Sequence, residues 1–140
     1  MKAPRSSASQ ISTLVDLLRD RGEGPCASNG FTFFRGDELD DEWLRYVDLH
    51  RAAQRVAADL GRAAIPAVED SGNAAQPAMP SRAIILCPPN ASYLKALFGT
   101  LYAGMIAVTA YPPRARRRDE RLDRVVDDSG ASIAIVDQTV

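Results

Sequence analysis

Few side chains in this chain of 140 residues could carry out acid–base, nucleophilic or metal chemistry. The single histidine, His50, stands beside Arg51 in a helical pattern without an evident acid or thiol partner in sequence. We therefore interpret His50 as a surface residue rather than a general base. Cys26 and Cys87 lie far apart without metal-ligand spacing, so we expect reduced thiols, with Cys87 in the core.

An acidic cluster precedes the second aromatic segment of the chain. Its members are Asp37, Glu38, Asp40, Asp41 and Glu42. They could attract a cation, but their spacing does not match an EF-hand loop, and a turn between two strands explains them better. The chain also contains neither of the glycine-rich phosphate loops GxxxxGK[ST] and GxGxxG. The residues alone therefore predict no catalytic, cofactor-binding or metal-binding group.

A basic cluster leaves two interpretations open. Its members are Arg114, Arg116, Arg117 and Arg118. They could form a phosphate or nucleic-acid patch, or they could begin a solvated helix in which Glu120 and Arg124 pair at i,i+4. Acidic residues balance them within two turns and no aromatic residues interleave, which favours the helix. Because basic residues at a helix N-terminus oppose the macrodipole, residues 114–117 belong to the preceding loop, facing an acidic neighbour or a ligand.

Composition limits the class of protein. The net charge of −1 argues against a general binder of nucleic acid or anionic membranes. The longest apolar stretch, near residues 97–110, is interrupted by two glycines and is too short to span a bilayer. Residues 1–11 are polar and serine-rich, so we expect a disordered lead-in without the apolar core of a signal peptide. These features favour a cytoplasmic protein.

The first half of the chain predicts two helices and a hairpin. A helix over 12–22 has a capping box formed by Thr13 and Asp16 and stops at Gly22. Strands over 31–34 and 43–46 pair as a hairpin. A second helix over 47–60 ends at Gly61, and a long loop follows over 62–81. The apolar face of this second helix comprises Leu49, Ala52, Ala53, Val56 and Leu60.

The second half alternates strands with helices. Apolar runs over 82–87, 105–111 and 132–137 predict buried strands, and Asn90 is placed to cap the helix after the first. The core-facing residues of the two helices are Leu94, Leu97, Phe98 and Leu101 in the first, and Leu122, Val125 and Val126 in the second. Short strand–helix–strand connections imply right-handed crossovers. We predict an α/β fold, a partial doubly wound and mostly parallel sheet with flanking helices, preceded by an N-terminal helix and a short hairpin.

Two Pro-Pro pairs follow the first two parallel strands. Pro88-Pro89 and Pro112-Pro113 both stand at carboxyl ends, and therefore at one edge of the sheet. Proline cannot donate to the ladder, so each pair by itself is explained by the end of its strand. Ligands of open α/β sheets bind beyond the carboxyl ends of strands. We therefore also expect Tyr111, Pro112 and Pro113 to form the rim of a substrate site.

Five successive segments resemble the N-terminal part of adenylate-forming enzymes. They read STLVDLLRDRG, FTFF, WLRYVDLHRAAQRVAADLG, AIILCPPNASYLKALFGTLYAGMIAVTAYPP and RLDRVVDDSGASIAIVD. This superfamily includes acyl- and aryl-CoA synthetases, peptide-synthetase adenylation domains and fatty acyl-AMP ligases. LYAGMIAVTAYPP is most similar to fatty acyl-AMP ligases, in which Tyr-Pro-Pro is typical here. The resemblance identifies residues 12–140 as the N-terminal part of an AMP-binding domain, truncated before its phosphate loop.

The sequence departs from the family pattern at three places. Thr109 replaces the usual proline, Arg45 replaces a common capping Thr or Ser, and the loop over 62–81 is longer than usual. The family's phosphate loop, its adenine and ribose contacts, its magnesium glutamate and its C-terminal lysine all lie later in the chain. No catalytic residue can therefore be carried over, and we expect these 140 residues to be inactive by themselves.

The resemblance implies what the complete enzyme would do. It would activate a fatty acid with ATP and Mg²⁺ to acyl-adenylate and pyrophosphate, and pass the acyl group to the thiol of an acyl carrier protein or a polyketide or peptide synthase. Two alternatives remain, a non-catalytic α/β interaction module and the same part of an acyl-CoA synthetase. Because the strand over 132–137 is apolar, ending at Val140 would expose a sheet edge, and we expect self-association or marginal folding.

Overall fold

A computed structural model describes residues 11–34, 41–64, 80–113 and 119–137. The elements of these residues are α1 (Leu14–Glu23), β1 (Gly30–Phe33), β2 (Glu42–Arg45), α2 (Tyr46–Ala63), β3 (Arg82–Leu86), α3 (Ala91–Tyr102), β4 (Ile106–Thr109), α4 (Glu120–Ser129) and β5 (Ile133–Val136). Within this part of the chain, no helix is both long and apolar enough to cross a membrane. Four predictions fall wholly or largely on residues outside it: the lead-in, the acidic turn, the middle of the long loop and residues 114–118.

The strands form two separate sheets. β1 and β2 pair antiparallel, with Phe31 opposite Leu44, which confirms the hairpin. β3, β4 and β5 form a parallel sheet in the order β4-β3-β5, in which Ile84 stands opposite both Val108 and Ala134. The α/β prediction is confirmed. The residues of β3 from Ala83 to Leu86 are all buried, with Ala83 packed against Leu60 of α2 and Ile85 against Ala96 of α3.

The first helix starts at the predicted capping box. The Thr13 side chain accepts a hydrogen bond from the Asp16 backbone N–H at 3.0 Å, and the Asp16 carboxylate accepts one from the Thr13 N–H at 3.2 Å. The hydroxyl groups of Thr13 and Ser12 hold the pKa of Asp16 below its usual value. The helix end was predicted wrongly, because α1 passes through Gly22 and is capped at Gly24.

Gly61 does not end the second helix either. α2 continues to Ala63, and Gly61 lies exposed on its surface with open space around its α-carbon. The helix starts directly after β2, so Tyr46 is its first residue rather than the last of a strand. Arg45 occupies the N-cap position without a side-chain cap, and its guanidinium instead binds the Asp48 carboxylate at 2.6 Å. That hydrogen bond lowers the pKa of Asp48.

Small residues bring α2 and α3 close together. Of the face predicted for α2, Leu49, Ala53 and Leu60 are buried and the other two members are half-buried. Of the face predicted for α3, Leu94, Leu97 and Phe98 pack against the core, but all four large apolar residues are only half-buried. The buried residues of α3 are Ala91, Ala96, Gly99 and Thr100. Gly99 faces Val56 and Ala53 of α2, whereas Ala96 packs against Ile85 of β3.

The last helix is less covered than predicted. None of the α4 residues is buried: Leu122 and Val125 are half-buried, and Val126 is 38% exposed. The prediction that the second and third parallel strands are buried was also wrong: these are the edge strands β4 and β5, and they expose Ile106 and Val136. The apolar surface of α4 and of the edge strands is therefore only partly covered by the described residues.

Candidate functional site

The carboxyl ends of β3 and β4 border a cleft of about 300 Å³. Its lining comprises Cys87, Pro89, Tyr93, Thr109, Ala110 and Tyr111. Two of these residues follow β3, one belongs to the first turns of α3, and the rest end or follow β4. Since ligands of open α/β sheets bind beyond the carboxyl ends of strands, this cleft is the candidate site. The six described lining residues offer hydroxyl groups, a thiol and apolar surface, but no charge, so they are suited to binding rather than to acid–base chemistry.

The structure brings one of the three predicted rim residues to the cleft. Tyr111 lines it with its side chain 71% exposed. Pro112 and Pro113 follow directly but do not line it. The Ala110 N–H still donates to the Ile85 carbonyl at 3.1 Å, so ladder bonding ends just before the proline pair. The structure agrees with proline as a strand stop, and the rim role stays a prediction.

A polar pair joins the carboxyl ends of β3 and β5. Asn90 caps α3 by accepting from the Tyr93 N–H at 3.3 Å, as predicted. Its amide also donates to the carboxylate of Asp137 at 3.3 Å, which the sequence analysis missed. In the order β4-β3-β5 the chain leaves β3 toward β4 and then passes to the other side of β3 to form β5, so this pair joins two strands that are neighbours in space but not consecutive in the chain. The sequence signal that could have predicted this contact is a polar residue soon after each of two parallel strands.

Cys87 is a core thiol, as predicted. It is 6% exposed, and its sulfur lies 3.9 Å from the Ile135 carbonyl. Burial raises the pKa of the Cys87 thiol, and the nearby Asp137 carboxylate raises it further. Cys87 therefore stays a protonated thiol at neutral pH and is a poor nucleophile. Cys26 is half-buried, and both cysteines are free, also as predicted.

The beginning of α4 lies close to the mouth of the cleft. The guanidinium carbon of Arg121 lies 6.0 Å from the centroid of the Tyr111 ring. Asp119 caps the helix, accepting from the N–H groups of Arg121 at 3.1 Å and of Leu122 at 3.3 Å. Glu120 and Arg124 approach to 4.0 Å, the predicted i,i+4 pair. Because residues 114–118 lie outside the described part of the chain, their placement opposite a ligand stays a prediction.

The surface interpretation of His50 was wrong. His50 is 5% exposed, and its two ring nitrogens have partners on two other helices. Nδ1 lies 2.8 Å from the Tyr102 hydroxyl of α3, and Nε2 lies 3.2 Å from the Glu23 carboxylate of α1. Burial raises the pKa of Tyr102, Arg19 lowers it and Glu23 raises it. The contact links α1, α2 and α3, and His50 does not line the cleft at the strand ends.

The described residues do not fit a metal or nucleotide site. None of them form a group of three or more His, Cys, Asp or Glu side chains that could hold a metal ion. Of the acidic cluster, only Asp41 and Glu42 are described, and Glu42 lies 4.0 Å from the Lys95 ammonium. Magnesium with its nucleotide would need a cluster of carboxylates or a phosphate-binding loop, and the described residues form neither.

Comparison with known proteins agrees with the sequence resemblance. No protein-family model matches the chain. JamA of Moorena producens, a medium-chain-fatty-acid–[acyl-carrier-protein] ligase, is 31% identical over 134 residues, covering 94% of this chain and 20% of JamA. The crystal structure of the fatty acyl-adenylate ligase from L. pneumophila, in complex with acyl adenylate and pyrophosphate, superposes with a TM-score of 0.76 at 28% identity. That match covers 93% of this chain and 20% of the ligase.

The chain is similar, over nearly its whole length, to one part of fatty acyl-AMP ligases. A shorter match supports the same conclusion. The long-chain-fatty-acid–AMP ligase FadD32 of Mycolicibacterium smegmatis is 49% identical over 47 residues, which cover 34% of this chain and 8% of FadD32. The chain spans about a fifth of the length of the relatives that match nearly all of it. The predicted family resemblance of this ligase-like chain is therefore confirmed.

Proposed function

We propose that this chain forms the N-terminal part of an adenylating unit that activates a fatty acid. With ATP the complete unit would form acyl-AMP and release pyrophosphate, and the acyl group would then pass to a carrier-protein thiol. The observation that carries this proposal is similarity over nearly the whole of this chain to one part of fatty acyl-AMP ligases, in both sequence and fold, at 31% and 28% identity.

The carrier thiol is the acceptor that the comparisons favour. JamA, which matches 94% of this chain, is named for joining a medium-chain fatty acid to an acyl carrier protein. The Tyr-Pro-Pro sequence at residues 111–113 supports the same choice by its resemblance to acyl-AMP ligases rather than CoA-dependent synthetases. A polyketide or peptide synthase would supply such a carrier in the cytoplasm.

ATP and Mg²⁺ belong to the complete unit, not to this chain alone. The described residues contain no metal-binding group, and the chain has no phosphate loop of the two common types. We propose that the chain instead provides the β4-β3-β5 sheet edge and its cleft, with Tyr111, Pro112 and Pro113 at the rim of the substrate half. The exposure of Tyr111 and the position of the cleft at the carboxyl ends of strands support this role.

Two assays test adenylation. The 140-residue chain, incubated with ATP, Mg²⁺ and medium- or long-chain fatty acids, should give no ATP–pyrophosphate exchange above a heat-inactivated control. Residues 12–140, grafted in place of the matching part of the L. pneumophila ligase, should restore exchange. Exchange by the chain alone would overturn the assignment of adenylation to the larger unit. A well-folded but inactive graft would favour a non-catalytic interaction module.

The acceptor is tested on the same graft. It should accumulate acyl-adenylate and acylate a phosphopantetheinyl carrier protein, with little acyl-CoA when CoA is offered instead. Because the grafted remainder could itself choose the acceptor, the same residues are also grafted onto a CoA-dependent synthetase. Equal formation of acyl-CoA and acyl-carrier by the first graft would contradict the choice of a carrier thiol.

The rim is tested by a matched pair of substitutions in the graft. Tyr111→Ala removes an aromatic side chain from the cleft, and Phe34→Ala removes one that is 82% exposed in the hairpin region. We expect Tyr111→Ala to lower the rate of adenylation and Phe34→Ala to leave it unchanged. Equal rates of adenylation for the two variants would show that Tyr111 does not contribute to the site.

A further inference from the structure

A second groove, of about 360 Å³, lies among α1, the hairpin and the helices α2 and α3. It shares no lining residue with the cleft at the strand ends. Leu17, Phe31, Tyr46 and Phe98 form its apolar walls. The rings of Phe31 and Tyr46 meet edge to face, with centroids 5.5 Å apart. Tyr46 and Phe98 also pack against the core cluster of Leu18, Leu44 and Leu49, so these walls are fixed by the core.

Arg21 and Asn29 give the groove its polar groups. The Arg21 guanidinium donates to the Cys26 sulfur at 3.3 Å, and a thiol is only a weak acceptor. Among the described residues no carboxylate lies within ion-pairing distance of Arg21, whereas Arg45 and Arg124 each have one. Arg21 is exposed at this groove, and a planar guanidinium suits a carboxylate, which it can bind through two parallel hydrogen bonds.

We propose that this groove binds one alkyl carboxylate, with the carboxylate at Arg21 and Asn29 and the alkyl chain along Leu17, Phe31 and Phe98. Apolar walls with a few polar groups are the usual composition of a small-molecule site. The volume of about 360 Å³ is near the lower end of ligand pockets, roughly 300 to 1,000 Å³, and therefore fits a single chain rather than a two-chain lipid. Binding at this groove needs neither ATP nor adenylation.

Calorimetric titration of the full 140-residue chain tests the proposal. Sodium octanoate, kept below micelle-forming concentrations and without nucleotide, should bind saturably with one site per chain. Affinity should rise by about three- to fourfold for each methylene buried between hexanoate and decanoate. 1-Octanol and octylamine, which have the same chain without a carboxylate, should bind at least tenfold more weakly. Equal affinity for octanol and octanoate would overturn carboxylate recognition.

Two substitutions on the same helix provide the matched control. Arg21→Gln removes the charge in the groove and should weaken octanoate binding by about tenfold or more, as expected for a lost hydrogen bond between charged groups. Arg19→Gln removes an equal charge two residues away, outside the groove lining, and should change affinity less than twofold. Arg21→Lys should fall between wild type and Arg21→Gln because it keeps only the charge.

Circular dichroism first checks that each variant keeps the wild-type helix content. Equal losses in Arg19→Gln and Arg21→Gln would show general charge attraction instead of a site. Absence of saturable octanoate binding by the folded wild-type chain would also overturn the proposal. Since no ATP is present, either result is independent of whether the larger unit adenylates a fatty acid.

Discussion

Adding one methyl group to Gly99 should destabilise the fold, while the same change at Gly61 should stabilise it. Both glycines lie within helices, Gly99 in α3 and Gly61 in α2. A Cβ atom at Gly99 would lie 2.4 Å from both Cβ and Cγ1 of Val56, whereas one at Gly61 would meet nothing within 4 Å. The pair therefore separates helix–helix packing from helix propensity.

The magnitudes follow from these contacts. Replacing an exposed helical glycine by alanine should stabilise the fold by about 0.5–1 kcal/mol, and this is the whole expected effect at Gly61. At Gly99 the same gain is opposed by overpacking, which typically costs about 1–3 kcal/mol. Val56 cannot turn aside, because the methyl would strike its Cβ and because β-branched side chains have one preferred rotamer in helices. The overpacking cost should therefore lie in the upper part of its range, at about 2–3 kcal/mol. After a gain of about 1 kcal/mol from helix propensity, we expect Gly99→Ala to lower the free energy of unfolding by about 1–2 kcal/mol.

Urea denaturation followed by far-UV circular dichroism measures both changes. The midpoint should rise for Gly61→Ala and fall for Gly99→Ala with an unchanged slope, because the surface exposed on unfolding stays nearly the same. Gly99→Ser, slightly larger than alanine, should be at least as destabilised. If Gly99→Ala unfolds at or above the wild-type midpoint, the close approach of α2 and α3 at this point is wrong.

Three further predictions concern the cap, the thiols and the buried histidine. Thr13→Ala should lower the free energy of unfolding by about 1 kcal/mol. Because folding lowers the pKa of Asp16, this loss should be present near neutral pH and should shrink as the pH falls below about 4. Melts at several pH values would measure it. Iodoacetamide should label half-buried Cys26 well before buried Cys87, as peptide mass spectrometry can measure, and equal rates would contradict the core thiol. His50→Ala should lower the free energy of unfolding by about 1–3 kcal/mol in urea melts, because Tyr102 and Glu23 both lose their contact with the imidazole. A loss below about 0.5 kcal/mol would refute a structural link between the three helices.

Local sequence signals predicted the elements better than their ends. Apolar runs identified the three parallel strands, because strands covered on both faces by helices are apolar throughout, and aromatic and β-branched residues identified the hairpin. Gly22 and Gly61 both failed as helix stops, for opposite reasons. Gly22 is buried where its α-carbon approaches the Cβ of His50, while Gly61 is exposed and simply tolerated. The glycines that do cap helices leave the helical conformation themselves: Gly130 has a left-handed φ of 59°, and Gly24 is extended.

Periodicity identified the faces of α3 but not which residues would be most buried. The large residues Leu94 and Phe98 are half-buried, while Gly99 is buried and faces Val56 and Ala53 of α2. Pattern reasoning ranks residues by hydrophobicity, whereas close packing of two helices depends on how near their backbones can approach. Gly99 permits that approach, and sequence alone offers no way to distinguish a packing glycine from a tolerated one.

In the candidate site too, local sequence predicted the positions of residues, whereas contacts between distant elements were not predictable. Two Pro-Pro pairs after parallel strands predicted which edge of the sheet carries it, because chain direction alone places both carboxyl ends together. The bond between Asn90 and Asp137 requires β5 to lie beside β3 rather than beside β4, and hydrophobic patterns do not specify strand order. His50 likewise gains its partner Tyr102 from 52 residues away. The local positions of side chains were therefore predictable, and their partners depended on the arrangement of elements distant in sequence.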